Sequence, residues 1–302
     1  MESRDWSLGL RNQLTNGTLV SVTYLHRELV RALDDVGIID DNPDGTRTFA
    51  YYVASPGFGI GRELSSKAPP MPEAVRDYDS IIVEATSRPT SRWWAHAAYV
   101  WSRLDGNYSG VQALRNPESG NTSQFADTVS TAFDASGKPT YGPLETDRPH
   151  QFTLQTYDGP IAGVTFGLAQ YVGSGTPVSL QLRYAIPGVA GSNRNFYPEG
   201  RGSLGRTPTL TQTDLLLRYD IALPRSLTVR AAVDLLILFD EDTETSIVGL
   251  YSQQALSFPE EEFYSGFDWE QKATKLRKNA RFGNASSFQA PRESRAGLRL
   301  SF

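Results

Sequence analysis

Cysteine is absent from this 302-residue chain. A disulfide framework, a thiolate metal site and a cysteine nucleophile are therefore all excluded. Long apolar runs are missing as well: hydrophobic residues make up 39% of the chain and mean hydropathy is −0.38. No run approaches the roughly 20 residues that a membrane-spanning helix needs. Strands escape that exclusion, because only alternate residues of a membrane strand face lipid. The opening Met1-Glu-Ser-Arg-Asp-Trp6 holds no apolar signal region, so an exported parent is expected to need a signal that this chain lacks. An excess of basic charge is also lacking. Lys and Arg total 29 against 34 Asp and Glu, giving a net charge of −5. The basic residues are scattered, which argues against a nucleic-acid partner.

What the chain does have is alternation. Its last twelve residues, Pro291 to Phe302, place Ala296, Leu298, Leu300 and Phe302 on one face and Glu293, Arg295, Arg299 and Ser301 on the other. Successive strand residues point to opposite faces, so this is a strand with an oily side and a wet side. Eight more segments read the same way: Asp5–Leu14, Thr18–Glu28, Asp77–Thr86, Arg92–Arg103, Arg148–Tyr157, Gly163–Tyr171, Thr209–Ala222 and Leu227–Phe239. Promoting Val178–Ile186 would make ten strands, but it would break the spacing described next, so nine is preferred.

The connections alternate short and long without exception. Thr15-Asn16-Gly17, Arg88 to Ser91, Asp158-Gly159-Pro160 and Leu223 to Ser226 are tight turns. Between them run four long connections, about Val30–Arg76, Asp105–Asp147, Gly173–Pro208 and Asp240–Gln289. The first is expected to hold a short hairpin over Thr46–Ala54, and the last a short helix within Glu260–Lys278. Antiparallel neighbours then put every tight turn at one end of the sheet and every long loop at the other. Outer-membrane barrels are built this way, and a soluble sandwich has no reason to sort its loops so. Trp6, Tyr24, Trp93, Trp101, Phe152, Tyr219 and Phe302 fall near the ends of the apolar faces, where interfacial girdles sit. Arg11, Glu84, Arg218, Asp220, Arg230, Asp234, Arg295 and Arg299 fall on the other face. A dry core could not hold these charges without close pairing, whereas a watery lumen can.

The loop-to-strand junctions resemble a known family. Asp105-Gly-Asn-Tyr-Ser-Gly110, Tyr141-Gly-Pro-Leu-Glu-Thr-Asp-Arg-Pro-His-Gln-Phe152, Ser174-Gly-Thr-Pro177 and Gly205-Arg-Thr-Pro-Thr-Leu-Thr-Gln212 carry the likeness. So do Phe282-Gly-Asn-Ala-Ser-Ser-Phe-Gln-Ala-Pro-Arg292 and the closing Leu298 to Phe302. Over nearly the whole chain they are similar to the C-terminal barrel of Oar-like TonB-dependent receptors. That resemblance implies an all-β, antiparallel transmembrane β-barrel of about 22 strands, closed by a plug and energised by TonB. Residues 1–302 are expected to be the C-terminal part of such a barrel, without the plug domain or the N-terminal strands. The expected partners are outer-membrane lipid, the missing plug and strands, TonB through that plug alone, and the barrel-assembly machinery through the strand ending at Phe302. The expected location is the bacterial outer membrane. The expected role is receptor and transporter wall rather than enzyme, with the ligand unknown.

Motifs that suggest chemistry have plainer readings. Asp40-Asp-Asn-Pro-Asp-Gly45 opens like a calcium loop, but its twelfth position, Tyr51, is no carboxylate, and hairpin turns favour the same residues. His26, His96 and His150 lie on different strands without ligand spacing, so no metal site is expected. Ser109 has no neighbouring base, and Gly57-Phe-Gly-Ile-Gly61 lacks the strand-to-helix frame of a phosphate loop. Glu260-Glu-Glu262 reads as a solvated loop segment. Phe196, Tyr197, Tyr264, Phe267 and Trp269 could contact a ligand, though packing of loops against one another is the preferred reading. No catalytic residue and no cofactor are expected. Two rival readings remain: a soluble β-rich glycan-binding module, in which Leu227, Val229, Val233 and Leu235 would form a dry core, and a nonfunctional fragment of a split receptor gene.

Overall fold

The computed structural model describes residues 1–14, 17–110, 129–224 and 227–302. Nine strands form one antiparallel sheet in chain order, which is the arrangement that alternating tight turns demand. They are β1 (Glu2–Gln13), β2 (Thr18–Arg31), β3 (Arg76–Ser87), β4 (Trp93–Gly106), β5 (His150–Ile161), β6 (Val164–Gly173), β7 (Leu210–Ala222), β8 (Thr228–Leu236) and β9 (Glu293–Ser301). A two-residue strand, Gly142–Pro143, adds to the end of β4. β1 and β9 are the edges, each paired on one side only among the described residues.

The register carries the two-faced pattern across all nine strands. One row runs Leu10, Val22, Val83, Tyr99, Phe152 and Val172. Another runs Phe166, Leu217, Val233 and Ala296. These apolar side chains have no second layer over them: Leu217 is 52% exposed and Leu298 82%. The outward run from Leu227 to Leu235 is about 26 Å long at about 3.3 Å per residue. Tilted by about 40°, it covers about 20 Å, close to the roughly 25 Å apolar band of outer-membrane barrels. Trp6, Tyr24 and Trp101 close the band at the loop end, with the Trp6 and Tyr24 rings 5.0 Å apart. The next outward row, Arg4, Glu28, Asp77 and Asp105, is wholly polar.

The long connections are not loose. Val36, Ile39, Leu64, Met71, Phe133, Leu182, Tyr184, Ile186, Val189, Phe196, Leu256 and Phe263 form a single buried cluster drawn from all four of them. The chain thus keeps its dry core in a cap at one end of the sheet, not on either face of the wall. The cap has its own small sheets: Asp34–Asp41 with Arg47–Ala54, Gln181–Tyr184 between Arg194–Phe196 and Leu250–Leu256, and Glu244–Ile247 with Ala285–Phe288. Helices α1 (Glu260–Ser265) and α2 (Trp269–Ala273) fall inside Glu260–Lys278, where a helix was expected.

Several expectations need local correction. The Thr46–Ala54 stretch is one arm of a hairpin rather than the whole of it, and its partner is Asp34–Asp41. Val178–Ile186 does contain a strand, but that strand joins the cap and not the wall. Asp158-Gly159-Pro160 is not a turn. β5 runs on to Ile161 with a register slip, and the turn is Ala162-Gly163, both at positive φ (49° and 85°). Two-residue hairpin turns need that geometry, and a proline cannot supply it. β8 stops at Leu236 instead of Phe239, because Ile237 and Asp240 turn the chain at φ 52° and 55°. In the turns at Thr15-Asn16-Gly17 and Leu223 to Ser226, residues 15–16 and 225–226 lie outside the described residues, as do 111–128 of the second long connection. Leu14 N–H to Thr18 O and Leu223 N–H to Leu227 O, each 2.7 Å, close those two turns.

Candidate functional site

Two surfaces have the chemistry to meet something other than lipid: the inner face of the wall and the cap. All eight charges expected on the wet face do share it. Arg11 lies in one row with Glu84, Asp220 pairs in register with Arg230 and then Arg299, and Asp234 pairs with Arg295. Arg230 makes a two-pronged ion pair with Asp220, at 2.6 and 3.0 Å. Arg218 donates to Thr165 Oγ1 at 3.2 Å. Toward β1 the face mixes Arg11, Glu84 and an Asp5–Arg27 ion pair at 2.9 and 2.8 Å with uncharged hydrogen-bonding groups, such as Thr86 with His96 at 3.0 Å and Tyr171 donating to Gln151 at 3.2 Å. The result is a polar wall with charges on both its β1–β3 and its β7–β9 sides.

The junction motifs meet at the rim between wall and cap. Asp147 accepts the Leu104 amide at 2.8 Å and an Arg206 guanidinium hydrogen at 2.5 Å. Arg148 donates to Ser174 O at 2.5 Å, and Thr176 N–H donates to Thr207 Oγ1 at 2.9 Å. Above them lies a buried ion pair. Arg201, its side chain 1% exposed, donates to Glu145 Oε1 at 2.8 Å, Ser109 Oγ at 3.0 Å and Asn107 O at 2.8 Å. Tyr197 also donates to Glu145, at 2.8 Å. Burial alone would raise the Glu145 carboxyl. The Arg201 charge, with hydrogen bonds from its own backbone, Ser109 and Tyr197, outweighs that and holds it below the usual range. Burial, reinforced by the Glu145 charge, pushes the Tyr197 hydroxyl well above its ordinary value.

A second tie joins the first long connection to the fourth. Glu260 is buried against Arg47 and Ser65. The reading of Glu260-Glu-Glu262 as a solvated run holds for Glu261 and Glu262 and fails for Glu260. The compensating Arg47 lies 213 residues away, out of reach of any local reading.

The aromatic candidates are packing groups. Phe196 and Tyr197 are each 1% exposed. Phe263 stacks on Tyr184 at 4.3 Å and meets Phe196, Tyr264 and Phe267 within 5.5 Å. Trp269 meets Tyr251 edge-on. Asp40 to Gly45 forms the cap hairpin turn, where Asp44 accepts from Thr46 and Asp41 is held by Arg47 and Ser66. Tyr51 lies along the second arm of that hairpin. His26 pairs with Asp79 at 2.9 Å, His96 with Thr86, and His150 with Tyr99 at 2.7 Å, so the three rings stay apart. Ser109 answers Arg201, and Gly57–Gly61 is a tight turn against the backbone of Glu73. Arg201, Glu145 and Arg47 went unread in the sequence. The one available signal was the junction motif around Glu145 and Asp147.

No family model matches the chain. It is 24% identical over 325 aligned positions to the TonB-dependent transporter Oar of Myxococcus xanthus, covering 98% of this chain and 28% of that protein. Among solved structures, the outer-membrane transporter YddB of Escherichia coli superposes with a TM-score of 0.52 at 11% identity, over 82% of this chain and 30% of that one. The closed form of the ferric-catecholate import receptor Fiu from K12 E. coli gives 0.43 at 12% identity, over 82% and 24%. The chain spans less than a third of the length of each. Its fold is a partial, antiparallel outer-membrane β-barrel, and along nearly its whole length the chain resembles the Oar-like TonB-dependent transporters.

Proposed function

We propose that the chain supplies part of the wall and outer cap of a TonB-dependent outer-membrane receptor that takes up a still unidentified ligand. One observation carries this reading: an uncovered apolar mid-band backs a face that holds Arg11, Glu84, Arg218, Asp220, Arg230, Asp234, Arg295 and Arg299, while the large buried cluster of the described residues sits at the loop end. That division suits a barrel with lipid outside and water inside. A plug, gating and TonB coupling would belong to polypeptide beyond these nine strands. Phe302 would serve as part of the signal to the assembly machinery. The work assigned to the chain is containment and ligand contact, with no catalytic step.

The glycan-module reading needs Val233 and its neighbours in a dry core, and Val233 is 40% exposed. The direct test is expression behind an export signal, followed by fractionation and gel mobility before and after heating. Recovery in the outer membrane with heat-dependent mobility is expected. A stable monomer soluble without detergent would contradict the proposal. An adjacent reading frame encoding a plug and further strands would separate a working split receptor from a nonfunctional remnant.

A further inference from the structure

The inward face changes character in the middle of the wall. Among the described residues, no inward side chain of Trp94–Ser102 on β4, Gln151–Tyr157 on β5 or Thr165–Gly173 on β6 is Lys, Arg, Asp or Glu. Charge resumes on both flanks. Glu84 of β3 lies beside Ala98, and Asp214 of β7 lies beside Ala169. Between them runs an uncharged lane three strands wide. Along β5 it extends from Gln151 near the loop end to Tyr157 near the turn end, about 20 Å at about 3.3 Å per residue.

Two kinds of group line the lane. Gln151, Thr153 and Gln155 stand in file on β5, each able to donate and to accept hydrogen bonds, and Gln155 is exposed. Ala98 beside Thr153 and Ala169 beside Gln155 leave room for a ligand along that file. Toward the turn end, Trp94 lies nearly parallel to two other rings, 6.1 Å from Tyr157 and 6.3 Å from His96, centroid to centroid. Face-to-face contact would need about 3.5–4 Å between carbons. The rings therefore do not seal one another's faces, and Tyr157 is 36% exposed. Tyr171, whose hydroxyl donates to Gln151, adds a further ring toward the loop end.

We infer that this lane takes a neutral oligosaccharide, which names the chemical class of the ligand in the receptor reading above and rests on that reading. A sugar ring has a C–H face that packs on an aromatic ring, and a rim of hydroxyls that exchange hydrogen bonds with amides and hydroxyls. A charged ligand would find no opposite charge in the lane and would be drawn to its flanks. Uncharged contacts repeated along the lane also suit passage. Each holds the sugar chain weakly, so the chain can leave one contact for the next.

The test uses the full chain folded in detergent micelles, with heat-dependent gel mobility as the check on folding. It is titrated with maltohexaose and cellohexaose, and with hexagalacturonate as the charged counterpart. Binding is read by calorimetry and by saturation transfer to the sugar's C–H protons. A neutral hexasaccharide is expected to bind, and hexagalacturonate at least about fivefold more weakly. Trp94→Ala and Tyr157→Ala should each weaken the neutral sugar about fivefold, with Trp94→Phe within about twofold of the unaltered chain. Gln155→Glu, a change on the watery face that keeps the fold, should weaken it too, and Phe166→Ala on the lipid face should not. Three results with folded chain would overturn the inference: no binding of either neutral sugar, equal binding of hexagalacturonate, or equal competition by an uncharged Gly-Ser peptide. The last would assign the lane to polypeptide. Loss of heat-dependent mobility in the unaltered chain would overturn the receptor reading, and this inference with it.

Discussion

Arg201 and Glu145 show how much the cap depends on single side chains. The guanidinium is withdrawn from water and satisfied by a carboxylate, a hydroxyl and a carbonyl from separate stretches of chain. Removing one partner of a buried pair leaves the other charge stranded, at a cost of about 3–5 kcal/mol. Arg201→Ala should therefore open the 107–110 and 144–147 segments to hydrogen exchange while the wall strands keep their protection. Glu145 adds a pH dependence. Its folded carboxyl lies below the usual glutamate range, so its contribution is complete above that range and fades as pH falls through the lower, folded value. Exchange in these segments should accelerate on acidification below about pH 4.5. Glu145→Gln should flatten that response, and an unchanged acid profile in the variant would assign the effect elsewhere.

At the scale of the strand, neighbouring residues should behave oppositely. Leu217 faces outward in the row of Phe166 and Val233, and Leu216 faces inward beside Asp234. Leu217→Arg should cost about 2–4 kcal/mol in vesicle-based unfolding, as a charge does at the lipid mid-plane. Leu216→Arg should cost less than about 1 kcal/mol, since a surface-type ion pair with Asp234 is within reach. This two-residue period was legible in the sequence: the nine strands and the shared face of the eight named inward charges, Arg11 to Arg299, follow from it. The turn at Ala162-Gly163 was not legible, because Asp158-Gly159-Pro160 offered a stronger local turn signal and the deciding factor was the register with β6.

For the molecule as a whole, the cap was the least legible part. Its core residues have no period and sit among Gly, Pro and Asp, so each connection reads alone as polar loop. They become a core only when the wall brings four connections together. Phe263 is the centre of that convergence, and Phe263→Ala should cost about 3–5 kcal/mol. Limited proteolysis should then cut several cap connections at once, with heat-dependent mobility of the wall retained. Cleavage confined to the 257–268 stretch would show the connections to be independent instead.

Placing the large buried cluster at one end also bears on the order of events during biogenesis. Arg47 must find Glu260 and Val36 must find Phe263 across most of the chain. Closing such spans has an entropic cost that only simultaneous contacts offset. Pairing of the strands that carry the four connections shortens those spans, so the connections are expected to condense together on a wall already formed. The wall would then act as a template, with the cap becoming native after it.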